Sequence, residues 1–338
     1  MKANKDNRIQ YYAAAYIATN TENLLKCLDA ITKRDDIEDI HDLRVASRRI
    51  RTALTIFSSS FSKKREKQWQ DAVRSVTQKF GKTRDLDVQI DFLESLLSDI
   101  QVRRIRSGLL RIHLRLIQQR RKINLKIDKH TEAFLKDKDI LEMHKTMQDF
   151  LLAGEPSEFP PELYQLAFNT IHSALDQFLY YEVFLHHPDK VHELHLMRIA
   201  AKQLRYTLEV FLNIYHGKME PFLEIMRSIQ QQLGQIRDCD VWLAFIPAFT
   251  QKEKQRTLNY YGNSSAMKRY QPGFEYLQQN REDERKKLYA HFMADWQIWR
   301  KQEVWLKLRE LILQATITDN LDTQPDSASV GKPFPDQN

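Results

Sequence analysis

The 338-residue chain has little cysteine and little glycine: two cysteines, Cys27 and Cys239, and 8 glycines. Two thiols far apart in sequence supply neither a disulfide framework nor a thiolate metal cluster. So few glycines argue against a fold rich in tight turns, while plentiful Leu, Gln, Lys, Arg and Glu favour long helices. Long apolar runs are missing too. The longest, "VWLAFIPAF" at 241–249, is far shorter than a bilayer span and contains a proline. The N-terminus lacks the basic, apolar, small-residue order of a secretory leader. A soluble cytoplasmic protein is the expectation. No glycine-rich phosphate loop or Walker pattern is present, so nucleotide-driven phosphoryl transfer has no sequence support.

Apolar residues make up 42% of the chain, enough for a sizeable core, and the formal net charge is +7. That charge points to an anionic partner without identifying it. Helical periodicity predicts helices near 5–33, 39–60, 64–80, 86–98, 102–130 and 138–152. It resumes near 162–186, 190–215, 220–233, 239–249, 274–299 and 302–315. Between the two series, "AGEPSEFPPEL" at 153–163 reads as a linker, and "NYYGNSSAMKRYQPG" at 259–273 as a loop. From Thr316 the chain is polar and rich in Asp, Ser and Pro, the composition of a disordered tail. No strand pair is indicated. The expected organisation is all-α: one helical half over 8–152, a linker over 153–163, a second half over 164–315 and a tail over 316–338.

The halves carry the same charge register. His41 is followed at +3, +7 and +10 by Arg44, Arg48 and Arg51, and His195 in the same register by Arg198, Lys202 and Arg205. About forty residues beyond each histidine comes a second shared element, "GKTRDLDV" at 81–88 and "GQIRDCDV" at 234–241. The match implies an internal duplication of about 150 residues.

On a helix, positions 0, +3, +7 and +10 fall within an arc of about 80° and climb about 15 Å. His41, Arg44, Arg48 and Arg51 therefore form one stripe, with Leu43, Ala46, Ile50, Leu54 and Phe57 on the opposite, core-facing side. The second copy repeats the pattern with Leu204, Leu208 and Phe211. A rail of like charges is self-repelling unless something negative lies opposite. Its arginines suit phosphate oxygens, although a solvated face paired with acids of a neighbouring helix is the plainer reading. A third basic segment, "RRIRSGLLRIHLRLIQQRRK" at 103–122, contains no acid. Arg104, Arg111, Arg115 and Lys122 share one face there, and Ile105, Ile112, Leu116 and Ile123 line another. Arg281 and Arg285 are a weaker counterpart, interleaved with acids.

"HDLRVASRRIRTALTIF" with "RDLDV", and "HELHLMRIAAKQLRYTLEVF" with "RDCDV", resemble the CHAD family, the conserved-histidine α-helical domain, over about residues 8–315. The resemblance implies two similar helical bundles related by a pseudo-two-fold around a basic central cavity that binds inorganic polyphosphate. It implies a binding module rather than an enzyme, located in several members at polyphosphate granules; no catalytic residue, cofactor or metal ligand is assigned, and whether a divalent metal accompanies the phosphate stays open. Some relatives are fused to a triphosphate-tunnel domain; this chain reads as a stand-alone member.

By similarity, His41, Arg44, Arg48 and Arg51 line one wall of the cavity and His195, Arg198, Lys202 and Arg205 the other. Lys82 and Arg84 match the basic part of the first Arg-Asp element and Arg237 that of the second. Gln235 stands where the first copy has Lys82, which predicts a weaker second wall. The histidines serve either as donors to phosphate or as structural residues bonded to a carbonyl or an acid. Asp85, Asp87, Asp238 and Asp240 are poor phosphate ligands, expected to cap helices or brace arginines. Three competing readings differ in partner. Nucleic acid requires aromatics interleaved with the basic stripe, and only Tyr206 lies adjacent to it. A metal-dependent phosphohydrolase is hinted at by the His41–Asp42 pair, but "HE" in the second copy does not match it. A scaffold docking an acidic protein satisfies the same cations as polyphosphate.

Overall fold

The structure, a computed structural model, describes residues 7–34, 37–152 and 154–322. Its elements run in chain order α1 (Asn7–Arg34), α2 (Ile37–Ile56), α3 (Lys63–Asp99), α4 (Arg103–Leu135) and α5 (Lys138–Leu151). They continue as α6 (Pro161–Leu179), α7 (Val191–Phe211), α8 (Glu220–Tyr261), α9 (Gln271–Lys301) and α10 (Val304–Asp322). Short 3-10 turns follow α2, α6, α7 and α8, and no strand occurs among the described residues. The fold is all-α. No helix of the described residues is long and apolar enough to cross a membrane.

Local chemistry accounts for several boundaries. The Ser62 side chain accepts from the Arg65 amide at the start of α3, and Asp137 accepts from the Asp139 and Ile140 amides at the start of α5. Pro161 opens α6, where its missing N–H would be unpaired in any case. Gly262, at φ +70°, ends α8 in the left-handed conformation.

Three expectations need adjustment. The pairs expected over 64–80 and 86–98, and over 220–233 and 239–249, are two continuous helices, α3 and α8. A glycine inside a helix disfavours it by only about 1 kcal/mol, which packing outweighs at Gly81 and Gly234. Pro247, within α8, sits on the exposed side while Ile246 and Phe249 are buried. The loop expected at 259–273 holds the end of α8 and a 3-10 turn over Ser265–Arg269. α10 extends through Asp322, into the stretch expected to be a disordered tail; 323–338 lie outside the described residues.

Two apolar cores hold the helices, and neither follows the division into halves. The larger draws on all ten, with Ile50 and Leu54 of α2 and Leu204 and Phe211 of α7 among its buried residues. Tyr12, Phe57, Phe159 and Phe211 tie the halves by ring contacts at 5.3–6.5 Å. The smaller core joins Leu86, Leu93 and Leu97 of α3 and Leu109, Ile112 and Leu116 of α4 to Trp242, Ile246 and Phe249 of α8 and Phe274 and Leu277 of α9. Both long hairpins, α3–α4 and α8–α9, thus run from one core into the other. Between halves, α2 packs on α7 and α4 on α9. The α4–α9 crossing is very close. A methyl built on Gly108 would lie 2.2 Å from the Tyr270 carbonyl oxygen, and one on Gly273 2.3 Å from that of Ile105.

Backbone cannot retreat as a flexible side chain does. Gly108→Ala and Gly273→Ala are each expected to lower stability by about 1–3 kcal/mol in urea unfolding, by forcing the crossing apart.

Candidate anion-binding site

The site is built where the α2–α7 crossing meets the middles of α3 and α8. Leu43, Ala46, Ile50, Leu54 and Phe57 are buried below α2, and Leu204, Leu208 and Phe211 below α7. This fixes the rotation of each helix and turns the two cationic stripes toward one space. Two adjoining chambers of about 660 and 780 Å³ result. Arg44, Arg48, His195, Arg198, Lys202 and Tyr206 line both. His41, Arg84, Arg205 and Arg237 line the first chamber, with Asp85 and Asp238, and Arg51 lines the second.

The repeated Gly-x-x-Arg-Asp-x-Asp element lies where α3 and α8 pass between the two cores, and each of its positions has a physical task. Gly81 makes room for the Arg44 guanidinium: a methyl there would lie 2.8 Å from Nη1. Gly234 lies in the same way under Arg198, with more space, 3.7 Å to Nε and Nη2. The first aspartate faces the cavity, Asp85 at 4.0 Å from Arg44 Nη2 and Asp238 among the charges felt by Arg198 and Lys202. The second is buried and clamps the next helix: Asp87 accepts from Arg120 Nε of α4, and Asp240 from Arg285 Nε of α9. These aspartates brace arginines. None caps a helix, because all four are mid-helix.

The cavity is undercompensated. Arg44 Nη1, Arg51 Nε, Arg198 Nε, Arg205 Nε and His195 Nδ1 are buried with no hydrogen-bond partner among the described residues. His195 is therefore not held by the carbonyl or acid that a structural role would provide. Burial, then Arg237, Arg198 and Lys202, push its pKa down and favour the neutral ring. Burial also lowers the pKa of Arg44, Arg51 and Arg198, with neighbouring arginines adding to the effect. Lys202 is the extreme case. Burial, then Arg198, Arg48 and Arg44, bring its ammonium down to about 7, against a smaller opposing pull from Asp238. Tyr206, 3% exposed, forms the floor, with the guanidinium carbons of Arg205 and Arg48 at 4.6 and 5.6 Å from its ring centroid. Arg205 is only partly available, since Glu209 lies 3.2 Å from its Nη1.

Several residues expected at the site are elsewhere. Lys82 is exposed and lines neither chamber, and the second half adds Arg227 to the first chamber, so the expected weakness of the second wall is not seen. Arg104 and Lys122 are exposed on α4, outside both chambers. Arg111 and Arg115 donate through Nε to Glu253 at 2.7 and 2.8 Å, and Arg256 reaches the same carboxylate, which is 0% exposed. The acid missing from the 103–122 segment stands on α8 instead. Glu253 is raised by burial, but its three arginines outweigh this and hold its pKa below the usual carboxylate range. Arg285 is taken by Asp240, and Arg281 lies over the Phe92 ring at 4.2 Å. The sequence reading missed Arg120 and Arg227. Arg227-Ser228 stands seven residues before Gly234, as Arg74-Ser75 does before Gly81, and that extension of the repeat would have exposed it.

Comparison with known proteins bears on the same residues. The family model of the CHAD domain matches residues 15–247. The chain is similar in structure to the crystal structure of the CHAD domain from the plant Ricinus communis. Identity is 21% over 84% of this chain and 91% of that one, at a TM-score of 0.59. It is also similar to PptA from Streptomyces chartreusis, with 17% identity over 85% of this chain and 99% of that one, at a TM-score of 0.57. No curated protein matches the chain.

The two charge clusters should respond oppositely to removal. Lys202 titrates lower folded than unfolded, so the unfolded chain binds the extra proton between about pH 7 and the ordinary lysine value. Its contribution to stability therefore rises with pH across that window. Lys202→Met is expected to stabilise the protein at pH 7 by about 1–3 kcal/mol in urea unfolding. Glu253→Gln, which strands Arg111 and Arg115, is expected to destabilise it by about 2–4 kcal/mol.

Proposed function

The chain belongs to the CHAD domain family, and from that premise we propose that it binds inorganic polyphosphate in the cavity between α2 and α7. The observation that carries this reading is the undercompensated cation set. Arg44, Arg48, Arg198 and Lys202 line both chambers, and four arginine nitrogens there, of Arg44, Arg51, Arg198 and Arg205, are buried without a partner among the described residues. Leaving such donors unpaired costs about 1–3 kcal/mol each, a cost that a polyanion removes on binding. A phosphate chain offers closely spaced oxygens to guanidinium forks and needs nothing that reads a base.

Two observations favour polyphosphate over RNA. Tyr206 is buried beneath Arg48 and Arg205 with its face occupied, and Trp242, which also lines the first chamber, is buried too. Neither forms the open stacking platform that single-stranded nucleic acid uses. The reading is of a binding module rather than an enzyme, because the groups that converge are hydrogen-bond donors on rigid helices. The family resemblance adds granule association inside the cell to the proposal.

Calorimetric titration with long-chain polyphosphate across a salt series, with RNA of matched charge in parallel, tests this. Tight, salt-weakened binding to polyphosphate and much weaker binding to RNA are expected. Arg48→Glu should cost about tenfold or more in affinity, and Arg111→Gln less than about twofold. Equal binding to both polymers would make the cavity a general basic surface, and binding to neither would favour an acidic protein partner. Because the anion favours charged Lys202, binding takes up a proton above pH 7. Affinity should fall by up to about tenfold per pH unit between 7.5 and 9, a slope that Lys202→Arg flattens.

A further inference from the structure

Lys202 is the only lysine among the residues lining either chamber. Its side chain lines both chambers, and the charges acting on its ammonium are mainly cationic, from Arg198, Arg48 and Arg44, with a smaller opposing pull from Asp238. The guanidinium groups around it bind phosphoryl oxygens well but accept no acyl group. We infer that Lys202 is a modification site, the nucleophile that takes the acyl group of acyl phosphates whose phosphoryl end is held by Arg44, Arg48 and Arg198. The inference rests on the phosphate-binding reading of the cavity.

Three requirements of the chemistry meet at this one residue. An amine attacks only when unprotonated, and burial among cations keeps a large share of Lys202 in that form near pH 7. The donor must be brought close, and the arginines concentrate and orient a phosphorylated donor beside the amine. The leaving group must be stabilised, and the same arginines receive the phosphate dianion as it departs. In the step, the lone pair of the ε-amine attacks the acyl carbon and the carbon–oxygen bond to phosphate breaks. An amide forms, and the proton shed by the nitrogen leaves on hydrogen phosphate. No oxidant, reductant or further reactant is needed.

The product carries no charge at the centre of the cavity and adds bulk where both chambers meet. Acylation therefore removes the cation that Arg44, Arg48 and Arg198 surround, and it competes directly with the polyanion. Occupied cavities are protected, and empty ones are open to the reaction.

The test is site-resolved mass spectrometry of the full chain treated at pH 7.5 with acetyl phosphate, or with p-nitrophenyl acetate as an uncharged donor, each with and without inorganic polyphosphate. Acetyl phosphate should label Lys202 at least about tenfold faster than exposed lysines. Polyphosphate should block that labelling, and Arg48→Gln should slow acetyl phosphate at Lys202 by a larger factor than the uncharged donor, which loses rate only as the Lys202 pKa moves back toward its ordinary value. The acetylated protein should bind polyphosphate at least about tenfold more weakly. If Lys202 lags behind surface lysines while polyphosphate still binds, the modification site is overturned and the binding reading stands. If both donors label it equally and Arg48→Gln slows them by the same factor, phosphoryl recognition in the reaction is overturned. If Lys202 is unlabelled and polyphosphate does not bind, both fall.

Discussion

Like charges facing one another across the α2–α7 crossing are the constraint on which the rest of the architecture depends. Arg44 and Arg48 from one helix meet Arg198 and Lys202 from the other, and among the described residues lining the chambers only Asp85 and Asp238 are acidic. Such a set separates unless something rigid holds it. Here the restraint is apolar: each rail is the back of a helix whose front is buried in the larger core. Further along, the α4–α9 glycine crossing and the smaller core keep the long hairpins, and with them Arg84 and Arg237, in place. Stability is thus stored in the cores and given up in the cavity, the usual arrangement at a binding site.

The protein treats its arginines in two distinct ways. Those in the smaller core and along the hairpins each meet a carboxylate: Arg111, Arg115 and Arg256 share Glu253, Arg120 meets Asp87, and Arg285 meets Asp240. At the crossing, Arg44, Arg51, Arg198 and Arg205 each keep a buried nitrogen without a partner among the described residues. Both classes are arginine on a helix beside an apolar stripe, so composition alone cannot separate them. The difference is whether a carboxylate from a distant part of the chain arrives opposite.

That distinction marks the limit of what was legible in the sequence. Helical periodicity was enough for an all-α fold and for the core faces of α2 and α7, because burial follows the 3.6-residue period directly. The stripe residues were legible for the same reason, being the positions left over on those helices. α4 was not. Its acid-free run implied a partner outside the protein, whereas Glu253 lies 142 residues from Arg111 and 138 from Arg115. Spacing within one helix carries no information about such a pairing. The Gly-x-x-Arg-Asp-x-Asp element was readable as a repeat but not as a device. Only the packing shows that its glycine admits an arginine, its first aspartate borders the cavity and its second clamps the neighbouring helix.

The central claim is that the crossing holds its cations unpaired, awaiting an anion, and Lys202 reports on this from the middle. The most direct measurement is an NMR titration of the Lys202 side chain, assigned by Lys202→Arg, in the free protein and with saturating polyphosphate. The account predicts a midpoint at about 7 in the free protein. Bound polyphosphate should raise it toward the ordinary lysine value. An ordinary value already present in the free protein would contradict the account, because a counter-charge would then be in place before any ligand arrives.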